Sequence, residues 1–283
     1  MRVYPPKSTE PRQEEIDKRM KAIPAYDSFE FAEKKRSYCL CIFVINEGEK
    51  LIKQLATLYP YHGIVDVVIA DGGSTDGSTE TERLKGLGVN TLLVKTGPGK
   101  LGSQMRMAFA WAAEKGYKGV VVIDGNGKDG VEAIPDFVKA LEKGYDHIQG
   151  SRFISGGHHA NTPLSRLIGV KLLHAPLISL AAGFKYTDTT NGFRAYSMRF
   201  LTDEKINLFR EVFSSYELHY YMAIEAPCNG FRALEIPVSR VYPKGGKIPT
   251  KISPVKGSID VLSRLFKAVS GGYREKTADK LEV

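Results

Sequence analysis

From residue 38 onward, apolar runs alternate with amphipathic stretches. Residues 38–45 (YCLCIFVI), 65–70 (VDVVIA) and 119–123 (GVVVI) are continuous apolar runs, the pattern of strands buried on both faces. Shorter runs at 91–94 and 147–150 predict two further strands. Between them, apolar residues at helical spacing predict helices over 47–59 (Leu51, Ile52, Leu55, Leu58), 79–87, 101–115 (Met105, Ala108, Phe109, Ala112) and 132–142. Strand, helix, strand with short connections predicts an α/β fold: one mostly parallel sheet with helices on both faces. Beyond residue 150 the alternation fades. Helices are expected over 164–182 and 215–226, a strand pair over 231–241, and an amphipathic helix over 259–269 with Ile259, Leu262, Leu265, Phe266 and Val269 on its apolar side. Residues 1–37 carry prolines at 5, 6, 11 and 24 and read as an extension, with one short helix around 14–22.

In open parallel sheets, ligands bind beyond the carboxyl ends of the strands, near the point where strand order reverses. The residues there are Asn46-Glu47, DGGSTD (71–76), GPGK (97–100) and DGN (124–126). Asp71 stands where a carboxylate accepts from a base N–H or a ribose hydroxyl; the same stretch also reads as a plain strand-to-helix turn with caps. Asp124 with Asn126 two residues on suits a hard divalent cation, or an Asx turn. Gly99 and Lys100 open a helix and offer backbone amides and a cation to an anion. Arg152 follows a strand, and TDTTNGFR (187–194) can bring Asp188 and Arg194 into a cleft or form an ordinary loop. Neither G-x-G-x-x-G nor a P-loop is present, which disfavours a generic dinucleotide or P-loop fold. The histidines lack metal spacing. His158 and His159 read as mobile surface residues in a Gly-rich loop, and His219 reads as packed.

The 283 residues carry a net charge of +8, and residues 240–283 hold ten Lys/Arg against four Asp/Glu. The excess is therefore a local device facing a phosphate or an anionic surface. No basic stripe interleaves with aromatics, so nucleic acid is not expected as a partner. Three cysteines cannot make a disulfide framework, and Cys39 and Cys41 are expected on opposite faces of their strand; a reducing, cytoplasmic setting follows, at the inner face of the membrane. The N-terminus has no signal-peptide run. The longest apolar stretch, 167–184, contains Lys171, His174 and Pro176 and reads as a buried or interfacial helix, not a span. The basic amphipathic tail either docks on the catalytic domain or lies on an anionic bilayer. The length is expected to leave no room for appended membrane spans.

The loops taken together are far more specific than any one alone. INEGEKL (45–51), ADGGSTDGS (70–78), GPGKLGSQMRMAFAWA (97–112), VVVIDGN (120–126), QGSRF (149–153), NGFRAYS (191–197), EIPV (235–238) and KISPVKG (251–257) resemble the inverting family 2 glycosyltransferases of the GT-A fold, notably the dolichyl-phosphate mannosyltransferase-like branch. The resemblance implies a GT-A domain over 38–255, with an extension at 1–37 and a basic tail at 256–283. It implies a nucleotide-sugar donor held by Asn46, Glu47, Asp71, Gly99, Lys100, Arg106, Asp124 and Gly125. It implies Mg²⁺ or Mn²⁺ at Asp124 and Asn126, and a phosphate or acceptor end lined by Arg152, Arg194, Arg240 and Lys251. Asn126 stands where the family usually has a second aspartate, and Lys128 supplies a nearby cation; both weaken the expectation of strict metal dependence. The Q-x-x-R-W of processive synthases is missing, so the transferase is expected to be non-processive. The acceptor is expected to be a polyprenyl phosphate or a cell-surface glycan precursor: a glycan hydroxyl would need a general base, with Asp188 and Glu217 as the candidates, and a lipid phosphate would need only cations. The other readings are a sugar nucleotidyltransferase and a non-catalytic nucleotide-sugar-binding relative.

Overall fold

A computed structural model describes residues 22–243 and 256–275. The predicted helix at 14–22 falls almost wholly outside them, and Lys251 lies outside them. Eight strands form one sheet in the order β1-β4-β3-β2-β5-β8-β6-β9. β2 (Tyr38–Val44), β3 (Asp66–Asp71), β4 (Thr91–Lys95) and β5 (Gly119–Asp124) are parallel neighbours. β6 (His147–Ser151) and β9 (Ala233–Pro237) are parallel to each other. β8 (Arg194–Ser197) runs antiparallel to both β5 and β6. The chain leaves β2 toward β3 and β4, then returns to β5 on β2's other side. The order therefore reverses between β2 and β5, and the loops after these two strands flank the crevice.

Alternation along the buried strands builds two cores. Cys39, Cys41 and Phe43 face α3 (Leu101–Glu114), α7 (Glu217–Cys228) and α8 (Lys256–Val269). Leu40, Ile42 and Val44 face α1 (Glu49–Thr57), α2 (Thr81–Gly86) and α4 (Ile134–Glu142). Positions i and i+2 of a strand share a face, so the expectation of opposite faces for the two cysteines was in error. Their sulfurs lie 4.0 Å apart as buried free thiols.

Three short strands escaped the sequence pattern. β1 (Tyr26–Glu30) pairs antiparallel with β4, so part of the expected extension belongs to the sheet. β8 forms within the NGFRAYS stretch. β7 (His158–Ala160) pairs in parallel with β10 (Ser239–Val241) in a separate two-stranded sheet. His158 and His159 are thus strand residues, not a mobile loop, and residues 231–241 split between two sheets instead of forming a hairpin.

α5 (Leu164–Ala182) is the one described helix long and apolar enough to cross a membrane, yet little of it is buried. Its middle, Val170–His174, is a π-helical turn. Pro176 follows and has no N–H to give, which relaxes the ladder there. α6 (Met198–Leu201) is a single turn capped by Ser197.

Three histidines lie in the core around α5 and α7. Burial pushes His147 down to about 3 and His174 down to about 4. Burial, with Arg194 and His147 nearby, also holds His219 well below its ordinary value. Unfolded histidines take up a proton below pH ~6.5 that the folded ones refuse, so their contribution is complete above that pH and is lost as pH falls toward the folded values. At pH 5 the loss is roughly 2 kcal/mol per histidine. Urea melts at pH 7.5 and pH 5 should show a distinctly lower midpoint at pH 5; equal midpoints would contradict neutral buried imidazoles.

Candidate active site

At the β2 end, Asn46 takes a positive φ of 51°. Its side-chain Oδ1 accepts from Thr75 N at 2.8 Å, and its backbone N donates to Ser74 Oγ at 2.9 Å. Gly48 N donates to Asp76 Oδ2, tying the two loops together. Asp71 is buried, and its carboxylate accepts from Ser74 N, Ser74 Oγ and Thr79 Oγ1. It shapes the loop that rims the crevice while Asn46 and Glu47 stand more open. Gln104, on α3, donates to the carbonyls of Val44 and Ala70, pinning the ends of β2 and β3 side by side. Gly99 has a φ of 100°, and a Cβ there would strike Ser103, so the GPGK turn needs its glycine. Lys100 is exposed, and its backbone N donates to Ser214 O.

The DGN turn is held from α1. Gln54 donates to Asp124 O at 3.0 Å and accepts from Gly127 N at 3.0 Å, so one amide fixes both ends of the turn. Gly125 packs against Val44, where a Cβ would clash. Asp124 Oδ2 accepts from Arg240 NH2 at 3.0 Å, and Asp129 Oδ1 accepts from Arg240 NH1. Burial would raise the Asp124 carboxyl, but Arg240 and Lys128 outweigh it and hold the group below the usual range. Burial wins at Asp129, whose carboxyl is pushed up despite Arg240. Lys128 is itself lowered by burial and by Arg240. The ring of Tyr242 gathers the cations, with Lys128 Nζ at 5.3 Å, Arg166 at 5.6 Å and Arg240 at 5.9 Å. The Tyr242 hydroxyl accepts from Arg166 NH1 at 2.8 Å.

Across from this lies Arg152, whose Nε and NH2 bind Asp188 Oδ2 and Oδ1 at 2.6 and 2.9 Å. Both side chains are buried. Glu235 accepts from the backbone N of Thr187 and of Asp188, and so sets the loop that carries Asp188. Gly192 lies against Asp124, where a Cβ would come within 2.9 Å of Oδ1.

Three expected site residues serve a different purpose. Arg194 is buried and donates to the carbonyls of Asn191 and Thr189, so it fastens the 187–194 loop and does not line the cleft. Arg106 is buried and donates to Phe213 O, supporting the 213–215 turn from below. Glu217 is fully buried. It accepts from Ser214 N and Ser215 N on one oxygen and from Arg264 of α8 at 2.5 Å on the other. With both oxygens engaged it anchors the tail helix and is not poised to take a proton. Accordingly, Glu217→Gln is expected to cost about 2–4 kcal/mol of stability while turnover per folded molecule stays within a few-fold. A large fall in turnover without a fall in melting temperature would restore the general-base role.

Sequence reasoning missed Gln54, Gln104, Asp129, Gly192, Glu235, Arg166 and Tyr242 as site residues. Glu235 sat inside a quoted motif, EIPV, without a role, and Asp129 lies five residues beyond Asp124. Gln104 and Gly192 likewise sat inside quoted motifs without a role, while Gln54, Arg166 and Tyr242 lay outside them.

Oxygen donors around Asp124 suit a hard divalent cation: the Asp124 carboxylate, the Asn126 amide, and Asp129 Oδ2, which is buried without a partner. Among the described residues no group of three or more His, Cys, Asp or Glu converges, so such an ion would draw its other ligands from its substrate.

No family model matches the chain. An undecaprenyl-phosphate mannosyltransferase of Micrococcus luteus is 32% identical over 200 residues, covering 69% of this chain and 80% of that protein. A polyprenol monophosphomannose synthase of Mycolicibacterium smegmatis is 27% identical over 238 residues, covering 81% and 84%. Of solved structures, glucosyl-3-phosphoglycerate synthase of Mycobacterium tuberculosis, in complex with Mn²⁺, UDP-glucose and phosphoglyceric acid, matches with a TM-score of 0.56 at 14% identity. It covers 86% of this chain and 82% of that one, and the likeness is one of fold.

Proposed function

Because the chain belongs to the family 2 glycosyltransferases of the GT-A fold, in the dolichyl-phosphate mannosyltransferase-like branch, we propose that it transfers a sugar from a nucleotide diphosphate to the phosphate of a polyprenyl lipid. One observation carries the choice of acceptor. Both carboxylates offered as a general base, Asp188 and Glu217, are tied into buried ion pairs. Meanwhile Lys128, Arg166 and Arg240 gather beside Asp124, and Arg152 lies close by. A hydroxyl must lose a proton to attack; a phosphate arrives ionised and needs only cations to hold it.

In this reading the loops after β2 and β3 hold the nucleotide, and Asp124 with Asn126 holds Mg²⁺ or Mn²⁺. That ion would neutralise charge on the departing diphosphate. Arg240 leans on Asp124 and Asp129 and is placed to follow the same charge. Arg152, buried against Asp188, fixes the 187–194 loop that walls the acceptor side. Attack in line on the anomeric carbon, opposite the departing diphosphate, would invert its configuration. Gly192 keeps the NGF backbone close to Asp124, narrowing the space in which donor and acceptor meet.

The acceptor's isoprenoid chain places the reaction at a membrane surface, at its inner face if the protein is cytoplasmic. Leu164, Ile168, Leu172 and Leu180 on α5, and Ile259 and Phe266 on α8, are exposed apolar side chains. The two helices pack together, and their exposed apolar residues support peripheral contact with the bilayer. Purified protein incubated with a panel of sugar nucleotides, divalent cation and a polyprenyl phosphate should yield a polyprenyl phosphosugar. Transfer to glycan hydroxyls alone would reject the reading.

A further inference from the structure

Beside the Arg152–Asp188 pair lies a cavity of about 410 Å³, lined by Phe153, Lys171, Pro176, Lys185, Tyr186 and Thr187, among others. None of Asp124, Arg152, Asp188 or Arg240 lines it. We propose that it seats the phosphate headgroup of an anionic bilayer phospholipid, distinct from the acceptor, and so fixes how the protein sits on the membrane. The proposal rests on the reading that α5 meets the bilayer.

Charge is the first support. No carboxylate lines the cavity, and among the described residues neither Lys171 nor Lys185 pairs with one. Lys171 Nζ lies 4.7 Å from the centre of the Phe153 ring. The same ring carries the Arg152 guanidinium at 5.0 Å, but that charge is already matched by Asp188. Two lysines unpaired with any carboxylate among the described residues thus line a largely apolar cavity, which suits an anion attached to something greasy.

Position is the second. Lys171, Ala175 and Ser179 recur at i, i+4 and i+8 of α5 and line the cavity. Leu172, Pro176 and Leu180 form the next stripe, one residue on. Leu172 and Leu180 are 73% and 81% exposed. A headgroup held by the lysines would therefore have its acyl chains beside leucines that no described residue covers. Phe153 and Thr187 lie between this cavity and the Arg152–Asp188 pair, which sets it apart from the acceptor phosphate.

Sedimentation of the full chain with vesicles tests this. Phosphatidylcholine vesicles are compared with vesicles that also contain phosphatidylglycerol, for the wild type, for Lys171→Gln/Lys185→Gln, and for a charge-matched control, Lys139→Gln/Lys143→Gln, at the C-terminal end of α4 across the sheet. At about 1 kcal/mol per lysine near an anionic surface, the cavity variant should lose binding to anionic vesicles by about 30-fold, with the control unchanged. Equal loss in both variants, or none in either, overturns the cavity while vesicle binding itself upholds membrane contact. Absence of wild-type binding to either vesicle rejects membrane contact, and the proposal with it. Turnover with a soluble short-chain polyprenyl phosphate should be unchanged in the cavity variant. A rise in its KM would make this the acceptor's own site and would also overturn the proposal.

Discussion

Asp124→Asn is expected to lower turnover by about 10³-fold and leave the fold intact. The substitution keeps the shape and removes one charge. That charge serves two purposes: it is the only carboxylate of the DGN turn, and it is half of the acidic pair that holds Arg240. Arg240 keeps its ion pair with the buried Asp129, so the core around β5 does not lose its only counter-ion. The Asp124 side chain is a third exposed, consistent with a group that meets a ligand and not with one that holds the core. Divalent cation affinity should weaken in parallel, read by Mn²⁺ spectroscopy without any substrate turnover. Asn126→Asp should move that affinity the other way, since it adds a hard anionic donor two residues along. A loss of less than tenfold in turnover for Asp124→Asn would remove this residue from the centre of the reaction.

How much of this could be read from the chain alone depends on the range of the interaction. β2, β3 and β5 were legible because strands buried on both faces are apolar without interruption, and their ends located Asn46, Asp71 and Asp124. β1, β7 and β8 were not. Each is only three to five residues long, and each is a strand because partners distant in sequence offer it an edge. Side-chain chemistry shows the same division. Asp188 and Glu217 stand out in the sequence as candidate general bases, but the structure ties them to Arg152, 36 residues away, and Arg264, 47 residues away. No local pattern reports such partners. Arg194 is the sharpest case. It follows N-G-F as a guanidinium aimed by a turn should, and the turn then folds back so that its own carbonyls take Nε and one of the two terminal nitrogens. Tyr242, which collects three cations, looks in sequence like any aromatic beside a proline.

The Arg152–Asp188 pair carries the largest stability effect. Both side chains are about 99% buried or more and meet through two parallel hydrogen bonds. Asp188→Asn leaves a guanidinium buried with no charge to answer it, at a cost of about 3–5 kcal/mol. For a chain of this size that is a fall of roughly 10 °C in melting temperature. Replacing both partners, as in Arg152→Met/Asp188→Leu, removes the buried charge along with its counter-ion and should be less destabilising than the sum of the singles. The double variant should nevertheless lose most of its turnover, because the 187–194 loop that runs beside Asp124 loses the pair that fixes it. This separates the two roles that Asp188 can have. As a general base it would give the wild type an acid limb in the pH dependence of kcat that disappears in Asp188→Asn, with melting temperature preserved. As the anchor of Arg152 it gives the reverse: lost stability, a strong coupling energy with Arg152, and residual turnover whose pH profile keeps its shape. Additive single effects in the double-mutant cycle would break the pair as described and return Asp188 to the list of proton acceptors.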